Sequence, residues 1–198
     1  MEYVDPITNP RQLQKMSQIL YDQSPRNYLM FMIGINVGLR ISDYLSKDVG
    51  YFKDAAVKGY VELRPEKTKR YGKNVRVYMS QELIDVINDY TKLMENGELM
   101  FTSRTRDRDG NPKPISRQQA WNIINDAARE AGINDNMGCH SMRKTFGYWH
   151  YQKNHDIRLL MAIFNHATEA ITLRYIGITN DNIKNSMQGM NLGIVRRE

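Results

Sequence analysis

Apolar and polar positions follow two rhythms along this chain, and each predicts a set of elements. The helical rhythm comes first. "NPRQLQKMSQILYDQ" offers Asn9 as an N-cap and Pro10 at the first helical position, where a missing N–H leaves no bond unmade. "SPRNYLMFMIGINV" predicts a second helix ending near Gly38. Its apolar run, "YLMFMIGINVGL" over 28–39, is too short to cross a bilayer and reads as a core helix. The rhythm then shifts to a period of two: "GYVELRP" and "NVRVYM" alternate across a basic turn and predict a β-hairpin. Helical spacing returns in "SQELIDVINDYTKLM", capped by Ser80, and in "ISRQQAWNIINDAAREAG", capped by Ser116 and closed by Gly132. Further helices are expected over 141–153, 156–163 and 168–176, with a last short one over 181–190. No internal repeat, low-complexity tract or linker interrupts the order. The expectation is a mainly α (α+β) single domain with one small antiparallel sheet.

Composition narrows the class. At 198 residues, 41% hydrophobic and 25% charged, the chain suits a soluble globular domain able to bury a sizeable core. The single cysteine, Cys139, excludes an internal disulfide framework and a multi-cysteine zinc site, and fits a reducing cytoplasm. The opening "MEYVDPITNPRQL" is acidic and has no apolar run, so it does not read as a signal peptide. A net charge of +6 suits a polyanion partner, and its placement says more than its sum. Lys67, Lys69, Arg70 and Lys73 cluster in one turn-like segment; Arg104, Arg106, Arg108, Lys113 and Arg117 cluster in another. Solvated loops account for such clusters as readily as nucleic acid does.

Four polar sites stand out against the helical body. In "GLRISD", Arg40 follows the apolar helix at the Gly38 break, and such a cation needs an anion or an ion-pair partner; Asp43 is the nearest candidate. In "HSMRKT", His140 and Arg143 share one helix face. "FNHATEAITLRYIGI" then places His166 nine residues before Tyr175. The hairpin lysines make a possible fifth site. No carboxylate cluster for a divalent metal and no glycine-rich nucleotide loop accompany them. Phosphoryl transfer without a metal needs fixed positive charge, which arginine supplies through a planar fork that stays charged. It also needs a nucleophile and proton carriers, and tyrosine can serve as nucleophile where nearby positive charge lowers its pKa.

Arg40, a hairpin lysine, His140-x-x-Arg143, His166 and Tyr175, in that order, resemble the catalytic domain of the tyrosine recombinases, the phage integrase family. The likeness runs from about residue 8 to residue 178. It implies a site-specific DNA recombinase that cuts and rejoins double-stranded DNA through a 3′-phosphotyrosine, with no metal, ATP or other cofactor. Tyr175 is then the nucleophile, Arg40 and Arg143 clamp the non-bridging oxygens, His140 manages the tyrosine proton, and His166 hydrogen-bonds the phosphate. Lys67 best matches the lysine that protonates the leaving 5′-oxygen, with Lys69 and Lys73 as backbone-phosphate contacts. Asp43 matches an acidic position supporting the first arginine.

The resemblance further implies that the helix from Ser116 approaches the major groove. Arg117 and Gln118 or Gln119 are then candidates for base edges, and Lys113 and Ser116 for phosphates. A plain amphipathic helix with Trp121 and Ile124 in the core fits the same residues. The catalytic domain is expected over 1–178, with 179–198 a tail that is either exchanged between protomers of a synaptic homotetramer or packed on its own domain; the free protein is expected to be a monomer. The setting implied is the cytoplasmic nucleoid, with no membrane. Three departures from the family pattern are Phe164 for Leu, Asn165 for Gly, and Lys144 where many members carry a second His. A fourth is that only 39 residues precede Arg40, too few for the usual separate core-binding domain. A type IB topoisomerase and a non-catalytic DNA-binding regulator of the same fold are the alternatives.

Overall fold

The computed structural model describes residues 4–63, 75–133 and 137–178. The chain opens with α1 (Pro10–Gln23), where the Asn9 side chain accepts the backbone N–H of Arg11 at 2.9 Å. α2 (Pro25–Val37) is the apolar helix, and it ends on Gly38 in the left-handed conformation, φ 66°. The short α3 (Ile41–Tyr44) and α4 (Val49–Lys58) lead into a hairpin of β1 (Tyr60–Leu63) and β2 (Val75–Tyr78), with Tyr60 opposite Tyr78 and Glu62 opposite Arg76. α5 (Gln81–Thr91) starts at Ser80, whose hydroxyl accepts the Leu83 N–H. A second hairpin, β3 (Thr102–Arg106) and β4 (Pro112–Pro114), precedes α6 (Arg117–Glu130). The chain then runs through α7 (Cys139–Asn154), α8 (Ile157–Phe164) and α9 (Glu169–Tyr175).

α2 is the hub. Leu29, Met30, Phe31, Ile33 and Val37 are all buried, and the helix packs against α1, α5 and α7. Burial on every side explains why its sequence is a run rather than a stripe. Beneath it, the rings of Tyr44, Phe101 and Phe52 meet edge-on at centroid distances of 5.6 and 5.8 Å. The fully buried Tyr44 hydroxyl donates to the Met30 carbonyl at 2.9 Å, so this phenol brings no unpaired polar group into the core. No helix among the described residues is long and apolar enough to cross a membrane.

Two expectations are corrected. The sheet content is two separate two-stranded antiparallel hairpins rather than one. The second lies in the basic segment read as a loop, because "TSRTR" carries no apolar alternation and its partner strand holds two prolines. α3 and α4 were not anticipated. α4 is held at its ends by caps, the Asp48 carboxylate accepting the Tyr51 N–H and Gly59 closing it at φ 75°. The helix expected over 181–190 lies outside the described residues.

The N-terminal segment is stitched onto α7. The Ile7 N–H donates to the Thr145 hydroxyl, the Trp149 indole N–H donates to the Ile7 carbonyl, and the Lys144 ammonium donates to the Val4 carbonyl, at 2.9, 2.9 and 2.6 Å. On α7, Gly147 admits α8 and the end of α9. A Cβ there would lie 2.6 Å from Ile176 Cγ2 and 2.7 Å from the Phe164 ring. Gly147→Ala is therefore expected to destabilise the protein by about 1–2 kcal/mol, the overpacking cost outweighing the helix-propensity gain. Urea unfolding measures this, and an unchanged or raised midpoint would refute the close packing.

Candidate active site

The site is assembled where three helix ends meet. α2 stops at Gly38, and the chain turns so that Arg40 becomes the N-cap of α3. α7 begins at Gly138, placing His140 in its first turn and Arg143 three residues on. α8 ends at Asn165 in the left-handed conformation, φ 55°, and the next residue is His166. Asparagine is among the few side chains that tolerate this geometry, so the substitution of Asn165 for the usual glycine keeps the turn. α9 carries Tyr175 in its last turn.

Arg143 is the centre. Only 3% exposed, its guanidinium donates to the Gly38 carbonyl, lies 4.4 Å over the Phe164 ring and is within electrostatic reach of Tyr175. Gly38 makes the first contact possible, since a Cβ at its positive φ would strike the Phe146 ring at 2.3 Å. Phe164, a departure from the family pattern, forms the floor of the site. It is 1% exposed, and its ring meets those of Tyr175 and His166 at 5.3 and 5.4 Å.

Tyr175 is half-buried, with the His166 ring centroid 5.0 Å from its own and the Lys144 ammonium 5.4 Å from its ring. Its pKa is raised, because burial outweighs the opposing pull of Arg143 and Arg40. This corrects the expectation that nearby positive charge lowers it. The charges act in that direction, but desolvation of the phenolate by burial is the stronger effect. His140 is pushed below the usual histidine value by burial and then by Arg117, Arg143, Arg40 and Lys144. His166 is pushed down by burial, then Arg143 and Arg40. Its Nδ1 lies 3.1 Å from the Thr172 hydroxyl, on a fully buried side chain.

The structure thus brings five of the six expected reacting residues together: Arg40, His140, Arg143, His166 and Tyr175, with Arg40 acting electrostatically on each of the other four. The sixth, Lys67, lies outside the described residues, as do Lys69 and Lys73. The Asp43 carboxylate accepts the backbone N–H of Arg40 at 3.2 Å rather than its guanidinium, so it fixes the α3 turn and leaves the exposed arginine head unclaimed by it. Among the expected DNA-reading residues, Arg117 and Gln118 are exposed at the start of α6, while Lys113 is half-buried in β4. The Ser116 hydroxyl accepts the Gln119 N–H and Gln119 returns the bond in a capping box, which spends both side chains on the helix end. Ile124 is in the core, whereas Trp121 is 39% exposed. Sequence reasoning missed the contributions of Val4 and Thr172; no local pattern marks either. Among the described residues, no group of three or more His, Cys, Asp or Glu side chains could hold a metal ion.

Such a cluster of fixed cations can stabilise negative charge on a phosphate. The sequence matches the phage integrase family over residues 7–181, and the chain belongs to that family. It is 41% identical over 182 residues to the Bacillus subtilis protein named probable integrase/recombinase YoeC, covering 91% of this chain and 93% of that one. It is 24% identical over 185 residues to the tyrosine recombinase XerA of Pyrococcus furiosus, of which it spans 60%. In fold it resembles a crystal structure of XerA recombinase, with TM-score 0.71 at 17% identity over 94% of this chain and 64% of that one. It also resembles the catalytic domain of bacteriophage HP1 integrase, with TM-score 0.59 at 18% identity over 98% of this chain and 99% of that one.

A pH dependence of stability follows from the histidines. His140, His150 and His166 all lie below the usual value of about 6.5, burial being the largest cause for each. The unfolded chain therefore binds more protons than the folded one below about pH 6.5, so stability rises with pH across that window and falls on acidification. Urea midpoints should be lower at pH 5 than at pH 7, and His140→Gln should shrink the difference. Equal midpoints at the two pH values would contradict the buried, neutral histidines.

Proposed function

We propose that this protein is a site-specific DNA recombinase acting through Tyr175. The observation that carries the reading is the Tyr175 ring packed on Phe164, 5.3 Å between centroids, with the buried Arg143 guanidinium 4.4 Å over that same Phe164 ring and the His166 ring 5.0 Å from the tyrosine. In the proposed reaction, the Tyr175 oxygen attacks the phosphorus of a DNA phosphodiester and the bond to the 5′-oxygen breaks. The DNA 3′ end is left on the tyrosine, and a 5′-hydroxyl departs. Arg143 and the exposed Arg40 hold the non-bridging oxygens as charge builds on them. His140, neutral at pH 7, accepts the phenol proton. His166 hydrogen-bonds the phosphate, and Lys67 supplies the proton for the leaving oxygen. The reverse attack by a 5′-hydroxyl from a partner duplex reseals the strand, so bond energy is conserved and no nucleotide triphosphate is consumed. Double-stranded DNA is the substrate, and exchange of two strand pairs calls for four copies of the chain in one synaptic complex.

The raised pKa of Tyr175 fits this scheme. A buried phenol stays protonated and unreactive until the site is filled, and its proton leaves only as the phosphorus is attacked.

The test is covalent trapping. Incubated with a pool of nicked duplexes of randomised sequence, the protein should give a protein–DNA adduct on denaturing gels, and sequencing the trapped DNA should return its site. Tyr175→Phe should abolish the adduct. Arg143→Ala and Arg40→Ala should each slow its formation about 100-fold or more. An adduct surviving in Tyr175→Phe would overturn the assignment of the nucleophile. No adduct from the wild-type chain would leave a DNA-binding protein of the same fold, and an adduct without strand exchange would point to a topoisomerase.

A further inference from the structure

A cavity of about 780 Å³ opens beside the reacting cluster, lined by His140 and Tyr175 together with Arg117, Trp121, Ile171 and Arg174. Two of these are large apolar side chains left at the surface, Trp121 at 39% and Ile171 at 49% exposure. Trp121 stands four residues after Arg117 on α6, hence on the same helix face. Its indole is seated, because a Cβ added at Gly138 would lie 3.5 Å from both Cδ1 and Nε1 of the ring, which sets the ring edge against the start of α7. A rigid aromatic face bordering a cavity, with arginines and a histidine in the same lining, selects an occupant that is both anionic and flat. A nucleotide has these properties, and the cavity volume is in the range that encloses a small ligand.

We propose that Trp121 is a stacking platform for one base of the DNA strand next to the phosphate attacked by Tyr175, and so a determinant of where the strand is cut. The inference rests on the recombinase reading above and deepens it. Arg117 and Arg174 hold the strand's phosphates while the indole takes the face of the base. Drawing a base out of its stack is costly, and stacking on an aromatic side chain returns part of that cost. The balance favours steps that unstack easily, so the preference should fall on pyrimidine–purine steps. Stacking is tolerant of base identity, and this selectivity therefore comes from deformability rather than from hydrogen bonds to base edges.

The experiment uses the full chain and the duplex recovered by trapping, prepared intact and as a series lacking single bases on either side of the scissile phosphate. Trp121→Ala should form adduct about tenfold more slowly than wild type on the intact duplex. Trp121→Phe, which keeps a ring, should retain most of the rate. On the duplex missing the stacked base, wild type should fall to the rate of Trp121→Ala and the two should become indistinguishable. The same abasic position should slow wild type alone, so the result holds even if Trp121→Ala folds poorly. Equal loss on every abasic duplex, no loss at all, or a change only in self-association would overturn the proposal, the last pointing to a protein occupant. Absence of adduct from wild type would instead remove the recombinase reading on which it depends.

Discussion

A guanidinium cannot be buried without partners, and the architecture around Arg143 is the supply of those partners. An arginine 3% exposed keeps its charge, because its pKa is too high for burial to neutralise it at ordinary pH. The left-handed Gly38 turns a carbonyl toward it, α8 ends with the Phe164 ring beneath it, and α9 sets the Tyr175 ring against Phe164. The ends of α2 and α8, far apart in sequence, are tied together by one side chain. No carboxylate is paired with this cation among the described residues; the ion pairs they show, such as Lys58–Asp54 and Arg158–Glu169, lie between exposed side chains. A neutral carbonyl and a ring face contact it without cancelling its charge. That leaves the charge available to an anion.

The same choice strains the neighbourhood. Arg40 and Arg143 depress each histidine of the cluster, and Arg40 lowers the pKa of Arg143 itself. These are repulsions among like charges held close in partly buried surroundings, where screening is weak. A core built for stability would place a carboxylate here, and Asp43 stands within electrostatic reach of Arg143. Its carboxylate is instead committed to the backbone N–H of Arg40. An anion stabilises an uncompensated cation cluster of this kind, so repulsion within the cluster and attraction for a polyanion have one origin.

Much of this was legible in the sequence, for reasons that can be named. Asn9–Pro10, Ser80 and Ser116 start helices through bonds to residues two or three positions away, so their signals are local and the helices begin where expected. Arg40, His140, His166 and Tyr175 were legible because each sits at or near a helix end, where polarity breaks an apolar pattern. β3–β4 escaped because its strands are held by backbone pairing and not by a buried face, with Arg104, Arg106 and Pro112 all exposed. The direction of the Tyr175 pKa escaped because the positive residues can be counted in sequence whereas the depth of burial cannot. Trp121 was equally ambiguous: its spacing suits a core position, and only the place where α7 begins leaves it facing a cavity.

Thr172 sets the orientation of His166. Its hydroxyl donates to the Thr168 carbonyl at 3.1 Å, which uses its single proton. The contact with His166 Nδ1 at 3.1 Å is then completed by a proton on the ring, and the hydrogen-bond chain assigns the Nδ1–H tautomer with Nε2 as an acceptor. In that state His166 has no donor left for a phosphate oxygen. For the role proposed for it, Nε2 must gain a proton, which burial and then the two arginines oppose. In the proposed reaction the negative charge of a phosphodiester offsets both guanidinium groups and favours the imidazolium. On that reading, proton uptake at His166 is coupled to DNA binding.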